Sequence, residues 1–259
     1  MRSLPFPLRR SESTQLPPVR SRPLAAQGPA DIFPPVPYAV MSSAGKDCTL
    51  ALDRARRRKL DVRWLANIYE ANTGRVRFHG VRHALVEAQA RALGLEPVLR
   101  ATHPDPFETA FERLLADLAA RGCTGVIFGN IHLADVRAWY EQRVRAMGLE
   151  HVELLWGEPA IELLYEVVER GYHGLVVSVN LKEPATAFLG RELDADLVTE
   201  LGITDDIDPC GERGEFHTFV SDGPEFRAPV RFDIGETLEV EDHRFLDLIP
   251  TVGAELSVS

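Results

Sequence analysis

Short apolar runs alternate with amphipathic stretches along most of the chain. The runs predict strands at residues 37–42, 62–69, 125–131, 152–156 and 175–179. Between them, apolar residues recur at helical spacing, which predicts helices at residues 81–93, 107–121, 135–147 and 159–170. Strands that alternate with helices of this length indicate an α/β fold with a parallel sheet and right-handed crossovers.

One helix carries the clearest boundary signals. Asp105 is predicted to cap its start, Pro106 lies at the first turn, and Glu108 completes a capping box. The apolar face that follows ends before Gly122. We therefore expect this helix to be stable and well delimited.

Both ends of the chain depart from this alternation. Residues 1–37 contain nine of the 18 prolines and five arginines, and few large apolar side chains. They are predicted to form a disordered tail, because they cannot bury enough surface to offset the entropy of ordering. After about residue 205, glycines, prolines and short β-rich segments predict antiparallel strands.

Composition and charge exclude several classes of protein. The net charge of −10 over 259 residues argues against a surface that coats nucleic acid. The three cysteines form no CxxC pair, so neither a disulfide framework nor a zinc site is predicted. No run approaches the roughly 18 apolar residues that span a bilayer, and residues 1–37 lack the apolar core of a secretory signal. We therefore expect a cytoplasmic protein without a membrane partner.

The first strand runs into a loop of small residues, Ser43-Ala44-Gly45-Lys46-Asp47-Cys48, and then into an apolar helix. Small residues let a ligand approach the backbone, and the free N–H groups and dipole at a helix start favour polyphosphate. Ser43 adds a hydroxyl and Lys46 a positive charge. The spacing fits neither a Walker A loop nor a Rossmann glycine motif. The alternative is a small-residue turn that binds nothing.

A second chemically dense segment, GERGEFHTFVSDGP, covers residues 211–224. Glu212 and Glu215 could hold Mg²⁺ on a polyphosphate, orient ammonia or act as a general base. The alternative is a turn followed by an edge strand with exposed charges. Of the eight histidines, none shows ligand-like spacing, and only His217 lies in such a segment.

These segments resemble known signatures. The small-residue loop resembles the SGGKDS signature of the PP-loop ATP pyrophosphatases, with Ala44 in place of a glycine and Cys48 in place of a serine. Residues 211–226 resemble the GEGGEYETF…D.P.F element of the diphthine–ammonia ligase family, with Arg213 in place of a glycine and His217 in place of a glutamate. Other segments resemble that family as well: Gly129-Asn130-Ile131, the helix with Arg137 and Glu141, Leu155-Trp156 and residues 190–194.

The resemblance covers residues 38–230 and implies a Rossmann-like adenine nucleotide α-hydrolase (HUP-type) fold. Helices would cover both faces of the parallel sheet, and a smaller C-terminal α+β part would contain antiparallel strands. The implied domains are a PP-loop ATP-binding subdomain at residues 38–135 and a substrate and amidation subdomain at residues 136–259. The implied enzyme uses ATP and Mg²⁺ to adenylate a carboxylate with release of pyrophosphate, and ammonia then displaces AMP.

The resemblance also implies roles for particular residues. ATP-binding residues would be Ser43, Ala44, Gly45, Lys46, Asp47, Cys48, Asn130 and Arg137, of which Arg137 would orient an anionic group. Catalytic residues would be Lys46, Glu212, Glu215 and Thr218. The metal ligands and the oligomeric state are left open by the sequence.

Other functions fit the same residues. The acceptor carboxylate is not identified, and it could belong to a protein. A PP-loop enzyme acting on a different carboxylate, or transferring sulfur to tRNA through Cys48 or Cys210, is one alternative. A protein that binds adenine nucleotide without chemistry is another, although the acids at residues 212–222 argue against it. The basic run at residues 54–59 is predicted to be the solvated face and end of the first helix. The alternative is a patch that meets an anionic substrate or RNA.

Overall fold

The computed structural model describes residues 36–103, 105–182 and 184–251, apart from the side chain of Pro184. The predicted disordered tail lies outside the described residues except for its last two, and Pro37 already begins the first strand. In the described part of the chain, no helix is long and apolar enough to cross a membrane.

Nine strands and six α-helices make up the described residues. The strands are β1 Pro37–Met41, β2 Asp61–Tyr69, β3 Glu96–Ala101, β4 Gly125–Phe128, β5 Glu150–Glu153, β6 His173–Asn180, β7 Phe216–Asp222, β8 Phe232–Val240 and β9 His243–Pro250. The helices are α1 Lys46–Arg57, α2 His83–Ala92, α3 Phe107–Ala120, α4 Ala134–Ala146, α5 Ala160–Glu169 and α6 Ala195–Ile203. A short 3₁₀ helix covers Pro184–Phe188.

The first five strands form one parallel sheet in the order β3-β2-β1-β4-β5. The chain builds outward from β1 in one direction through β2 and β3, and then in the other through β4 and β5. The order therefore reverses between β1 and β4. In open sheets of this kind, a crevice for ligands opens at the carboxyl ends of the strands at that reversal.

Helices cover both faces of this sheet, as predicted. Side chains of a strand point alternately to its two faces, and on β1 Val40 packs in one core while Ala39 packs in the other. The first core contains buried residues of α1, α2, α5 and α6, and the second contains those of α3 and α4. Each face of the sheet is thereby removed from water, which is the main favourable contribution to folding.

The last four strands form an antiparallel sheet in the order β7-β6-β9-β8. It packs into the first core through residues such as Val176 and Phe219. The predicted antiparallel C-terminal part is thus confirmed. The pattern had placed β6 in the parallel sheet, and that was wrong. Both faces of β6 are buried at residues 176–179, so its apolar run resembles that of a buried parallel strand.

Several predicted boundaries differ from the structure. The run at residues 125–131 ends as a strand at Phe128, and the strand predicted at residues 152–156 is β5, Glu150–Glu153. The edge strand β3 was not predicted, since it contains Pro97, a residue that sheets tolerate at their edges. The subdomain division after residue 135 stays a prediction. β5 lies after residue 135 but pairs with β4, so the parallel sheet continues past the predicted boundary.

One local prediction was wrong, and another holds only in part. Asp105 does not cap α3: the N-cap is Pro106, without a side-chain hydrogen bond, and Asp105 instead pairs with Arg113 at 2.5 Å. In the basic run, residues 57–59 are exposed at the end of α1, as predicted. Arg54 is not solvated, because its side chain is 14% exposed and donates to the Leu154 carbonyl at 2.9 Å. Its guanidinium group also forms ion pairs with Glu158 and Glu166.

Candidate functional site

A cavity of about 460 Å³ opens at the carboxyl ends of β1, β2 and β4, where the strand order reverses. One end is polar and is lined by Ser43, Lys46, Asp47, Cys48, Glu212 and Thr218. The other end is mainly apolar and is lined by Ile68, Phe107, Phe128, Leu133, Val136 and Tyr140. The cavity therefore offers a polar region and an apolar region to a single ligand.

The β1–α1 loop (residues 42–45) forms the polar end. Ala44 has a φ of 68°, a left-handed conformation that costs roughly 1–2 kcal/mol for a residue with a Cβ. Its carbonyl accepts hydrogen bonds from Gln89 Nε2 at 3.0 Å and from the Val220 backbone N–H at 2.9 Å. These bonds hold the strained loop, and they come from α2 and β7, which are distant in sequence.

The start of α1 faces the cavity. Its N-cap, Gly45, has no side-chain cap, and the Lys46 backbone N–H donates to Thr218 Oγ1 at 3.1 Å. A helix begins with four N–H groups that lack intrahelical partners. β7 thus supplies one partner through Thr218, and the positive end of the helix dipole stays directed at the polar end of the cavity.

Gly129, just after β4, allows this approach. A Cβ at that position would lie 2.7 Å from the Asp47 carbonyl carbon and 2.7 Å from the Cys48 nitrogen. No side chain fits so close to a backbone. The glycine therefore lets the end of β4 press against the first turn of α1.

Lys46 joins the two sides of the polar end. It is 2% exposed, and its Nζ donates to Asp47 Oδ2 at 2.8 Å and to the Cys210 carbonyl at 2.5 Å. The ammonium group also lies 5.2 Å from the centre of the Phe216 ring. Burial disfavours its charge, but the negative charge of Asp47 and neighbouring groups outweighs burial and raises the pKa of Lys46. The side chain is a fixed cation.

Residues 208–215, which we call the acidic turn, provide the opposite side. Glu212 lies in the cavity, and its Oε2 accepts a hydrogen bond from the Ile131 N–H at 3.2 Å. Burial, together with the charge of Asp47, raises the pKa of Glu212 to about 7. Near neutral pH this carboxyl group exchanges a proton readily, as a general acid or base requires.

Glu215 has a different position. It is 2% exposed and does not line the cavity. Its Oε1 accepts from the Asp208 N–H at 2.8 Å and its Oε2 from the Arg213 N–H at 3.1 Å. The two glutamates predicted as a catalytic pair are therefore separated. Glu212 faces the ligand space and Glu215 holds the backbone of the acidic turn.

The carboxylates at the polar end suit a magnesium ion shared with phosphate. Asp47 and Glu212 both line the cavity, and burial raises the pKa of each. Among the residues that the structure describes, no three His, Cys, Asp or Glu side chains form a metal cluster. Mg²⁺ commonly binds through one or two carboxylates plus substrate phosphates, so this donor set fits it only with a polyphosphate present.

Asn130 lines the cavity, whereas Arg137 does not. The Arg137 Nε lies 2.9 Å from Glu153 Oε2, and its guanidinium group lies 4.4 Å from the centre of the Trp156 ring. Of the other residues predicted to bind ATP, Ala44 and Gly45 shape the loop without lining the cavity.

Sequence reasoning missed a pair of histidines in the wall. His79, in the segment between β2 and α2, and His217 on β7 both line the cavity, with ring centres 4.3 Å apart. Burial and the charge of Lys46 lower the pKa of His79 to about 4. Burial and His79 lower the pKa of His217 well below its ordinary value. The position of His217 in a dense segment was a signal, but nothing in the sequence marked His79.

The cysteines near the polar end are buried thiols. Cys48 Sγ donates to the Gly45 carbonyl at 3.1 Å and accepts from Ser42 Oγ at 3.0 Å. Burial raises the pKa of Cys48, and it raises that of Cys210 well above the ordinary value. Neither environment favours the reactive thiolate.

Two family profiles match this chain. The diphthamide synthase N-terminal domain matches residues 37–151, and the diphthamide synthase C-terminal domain matches residues 159–248. Together they cover most of the chain, in the same order as the parallel and antiparallel sheets. The chain therefore belongs to the diphthamide synthase family.

Individual relatives agree with this family. Diphthine–ammonia ligase of Danio rerio is 27% identical over 192 residues, which cover 65% of this chain and 72% of that protein. Diphthine–ammonia ligase of Bos taurus is 24% identical over 153 residues, covering 58% of this chain and 57% of that protein. The chain thus spans less than two thirds of the length of the bovine relative.

Two solved structures are also similar. A protein described as a predicted subunit of tRNA methyltransferase from Methanocaldococcus jannaschii is 14% identical, with a TM-score of 0.39, and the match covers 73% of this chain and 100% of that chain. Glycinamide ribonucleotide transformylase 1 from Symbiobacterium toebii is 18% identical, with a TM-score of 0.30, and the match covers 53% and 61%. Both TM-scores are low, and neither likeness bears on function.

Proposed function

We propose that this chain is an ATP-dependent amide ligase that forms AMP and pyrophosphate, like the diphthine–ammonia ligases it resembles. One observation carries the proposal: the start of α1, Lys46 and Glu212 meet in one cavity, in a chain of the diphthamide synthase family. Its substrates would be ATP, ammonia and a carboxylate that could belong to a protein.

The polar end would hold the triphosphate. The N–H groups of the first turn of α1 and the Ser43 hydroxyl would donate to phosphate oxygens, and Lys46 would neutralise their charge. Asp47 is the residue that would hold Mg²⁺ on the phosphates, where the ion would stabilise charge on the departing pyrophosphate. The apolar end has the character that a nucleobase requires.

The reaction would proceed in two displacements. An oxygen of the acceptor carboxylate attacks the α-phosphorus of ATP, the bond to the β-phosphate oxygen breaks, and pyrophosphate leaves. Ammonia then attacks the carbonyl carbon of the acyl-adenylate, and AMP leaves with the electrons of the carbon–oxygen bond. The attacking nitrogen must lose a proton, and Glu212 has the position and the pKa, about 7, to accept it.

Sulfur transfer to tRNA receives less support. That chemistry uses a reactive thiolate, whereas burial raises the pKa values of Cys48 and Cys210, although both residues line the cavity.

Isotope incorporation tests the proposal. The chain would be incubated with ATP, Mg²⁺, ¹⁵N-ammonium and a cell extract, and AMP, pyrophosphate and ¹⁵N in the macromolecular fraction would be measured. We expect AMP and pyrophosphate in equal amounts, with ¹⁵N incorporation that depends on both chain and extract. ATP that binds in calorimetry but yields no AMP would instead indicate a protein that only binds the nucleotide.

A further inference from the structure

A buried carboxylate lies directly behind the cavity. Glu153, at the end of β5, has a side chain that is 3% exposed. Its Oε1 accepts a hydrogen bond from Asn130 Nδ2 at 2.8 Å, and its Oε2 pairs with Arg137 Nε at 2.9 Å. Arg137 is itself stacked on Trp156. Trp156, Arg137 and Glu153 lie outside the ligand space and form a chain of contacts that ends at Asn130, which lies inside it.

This arrangement fixes which way the amide of Asn130 points. Burial raises the pKa of Glu153, but the cation of Arg137 beside Oε2 and the hydrogen bond from Asn130 oppose this shift. The carboxylate accepts, and the amide therefore presents its NH₂ group to Glu153. Its carbonyl oxygen is then directed away from Glu153. Among the described residues, none donates a hydrogen bond to Asn130 Oδ1, and that atom is not buried. The wall of the cavity therefore presents a fixed hydrogen-bond acceptor.

The position of this acceptor indicates its ligand group. Asn130 follows Gly129, which touches the first turn of α1, where the triphosphate is proposed to bind. Phe128, on the other side of Gly129, belongs to the apolar end, where the base would lie. In a nucleotide the ribose joins these two parts, and its hydroxyls are hydrogen-bond donors.

We propose that Glu153 and Arg137 are positioning residues, which hold Asn130 so that its carbonyl oxygen accepts a hydrogen bond from a ribose hydroxyl of ATP. The inference rests on the proposed function only for the presence of the nucleotide. It assigns Arg137 a role different from the one the sequence indicated, because it acts through Glu153 and not on an anionic ligand.

Nucleotide affinity tests this without an acceptor. Calorimetry with Mg²⁺ would compare ATP, 2′-deoxy-ATP, 3′-deoxy-ATP and inosine triphosphate. We expect the wild-type protein to bind at least one deoxy-ATP about 3- to 10-fold more weakly than ATP, as one neutral hydrogen bond implies. Asn130→Ala should bring that ratio to about one, and Glu153→Gln, whose amide lets Asn130 turn over, should lower it.

Glu150→Gln is the matched control. Glu150 lies on the same strand, but its Oε2 accepts from Tyr38 and it does not contact Asn130. This variant should keep the wild-type ratio. A general loss of folded protein would weaken all four nucleotides alike and leave the ratios unchanged, so a changed ratio reports the contact itself.

Several results would overturn the inference. The wild-type protein would bind ATP and both deoxy-ATPs equally, or would bind no ATP at millimolar concentration. Alternatively, Asn130→Ala would keep the wild-type ratio of deoxy-ATP to ATP affinity, or would lose only its preference for ATP over inosine triphosphate. Turnover with equal nucleotide affinities would refute the ribose contact and leave the proposed ligase standing. A ribose contact without AMP formation would support this inference and refute the proposed ligase.

Discussion

The β1–α1 loop and the acidic turn meet at Lys46, but they are stabilised in different ways. The loop is held by backbone and amide groups of two other elements, which bind the Ala44 carbonyl. The acidic turn is held largely by one buried carboxylate, Glu215, which accepts from two backbone N–H groups. One side of the polar end is therefore built from the scaffold, and the other depends on a single side chain.

This difference separates stability from chemistry on each side. In the β1–α1 loop, the groups proposed to bind phosphate lie next to the groups that stabilise the backbone. The same short segment therefore serves both the proposed binding and the structure. In the acidic turn the two roles fall on different residues: Glu212 faces the cavity and Glu215 faces the interior. Two carboxylates three residues apart in the same signature should thus respond differently to the same substitution.

Breaking the link between the two sides should have the largest effect. Lys46→Met removes the cation that joins Asp47 to the Cys210 carbonyl. We expect the rate of pyrophosphate release to fall on the order of 10²- to 10³-fold or more, as for loss of a preorganised electrostatic contact. Lys182→Met, which removes an exposed lysine paired with Asp242, is the control and should keep the wild-type rate. A Lys46 variant with normal turnover would remove this lysine from the mechanism.

Glu215→Gln should next distinguish a structural glutamate from a catalytic one. Glutamine cannot accept both backbone hydrogen bonds through oxygen, so a buried N–H group loses its partner. We expect the free energy of unfolding to fall by about 1–3 kcal/mol in urea denaturation. Glu239→Gln, at an exposed ion pair with Arg244, should change it far less. Lost turnover with unchanged stability would contradict this assignment and favour direct catalysis by Glu215.

The pH dependence of stability should identify Glu212. Its pKa of about 7 in the folded protein exceeds its ordinary value of 4.5, so folding favours the protonated form. As pH rises from 4.5 to 7, the unfolded chain ionises first and the folded state loses relative stability. Compared with Glu212→Gln, the wild-type protein should lose on the order of 2 kcal/mol between pH 5 and pH 8. Parallel pH curves for the two proteins would exclude the raised pKa.

Cys48→Ser should have the smallest effect. Serine can donate to the Gly45 carbonyl and accept from Ser42 in the same way as the thiol. We expect the free energy of unfolding to change by less than about 1 kcal/mol, since no buried group loses its partner. Rapid alkylation of Cys48 by iodoacetamide in the folded protein at neutral pH would contradict its burial as a neutral thiol.

The parts of the fold that could be predicted depend on neighbours in sequence. The alternation of strand and helix follows from local periodicity, and the β1–α1 loop is a contiguous segment whose residues share one purpose. The acidic turn was also found as a segment, but the sequence did not show that Glu212 faces the cavity while Glu215 faces the interior. That depends on where the backbone of Asp208 and Arg213 runs, and a pattern of residue types does not contain it.

The missed features all depend on distant pairings. Thr218 caps a helix start 172 residues earlier in the chain. β6 joins the antiparallel sheet because its partners, β7 and β9, come later, although its own apolar run suits either sheet. His79 enters the cavity wall only because its segment packs against β7 beside His217. Such contacts are fixed by topology and cannot be read from a window of sequence.

Gly129 also sets how the cavity can move. Because a Cβ at this position would lie 2.7 Å from backbone atoms of Asp47 and Cys48, even one added methyl group would displace the start of α1. The end of β4 therefore packs closely against the start of α1, and this part of the cavity floor is preformed. Substrates must then enter and leave past its rim, and any gating motion belongs to peripheral segments such as the one carrying Arg77 and Phe78, both well exposed.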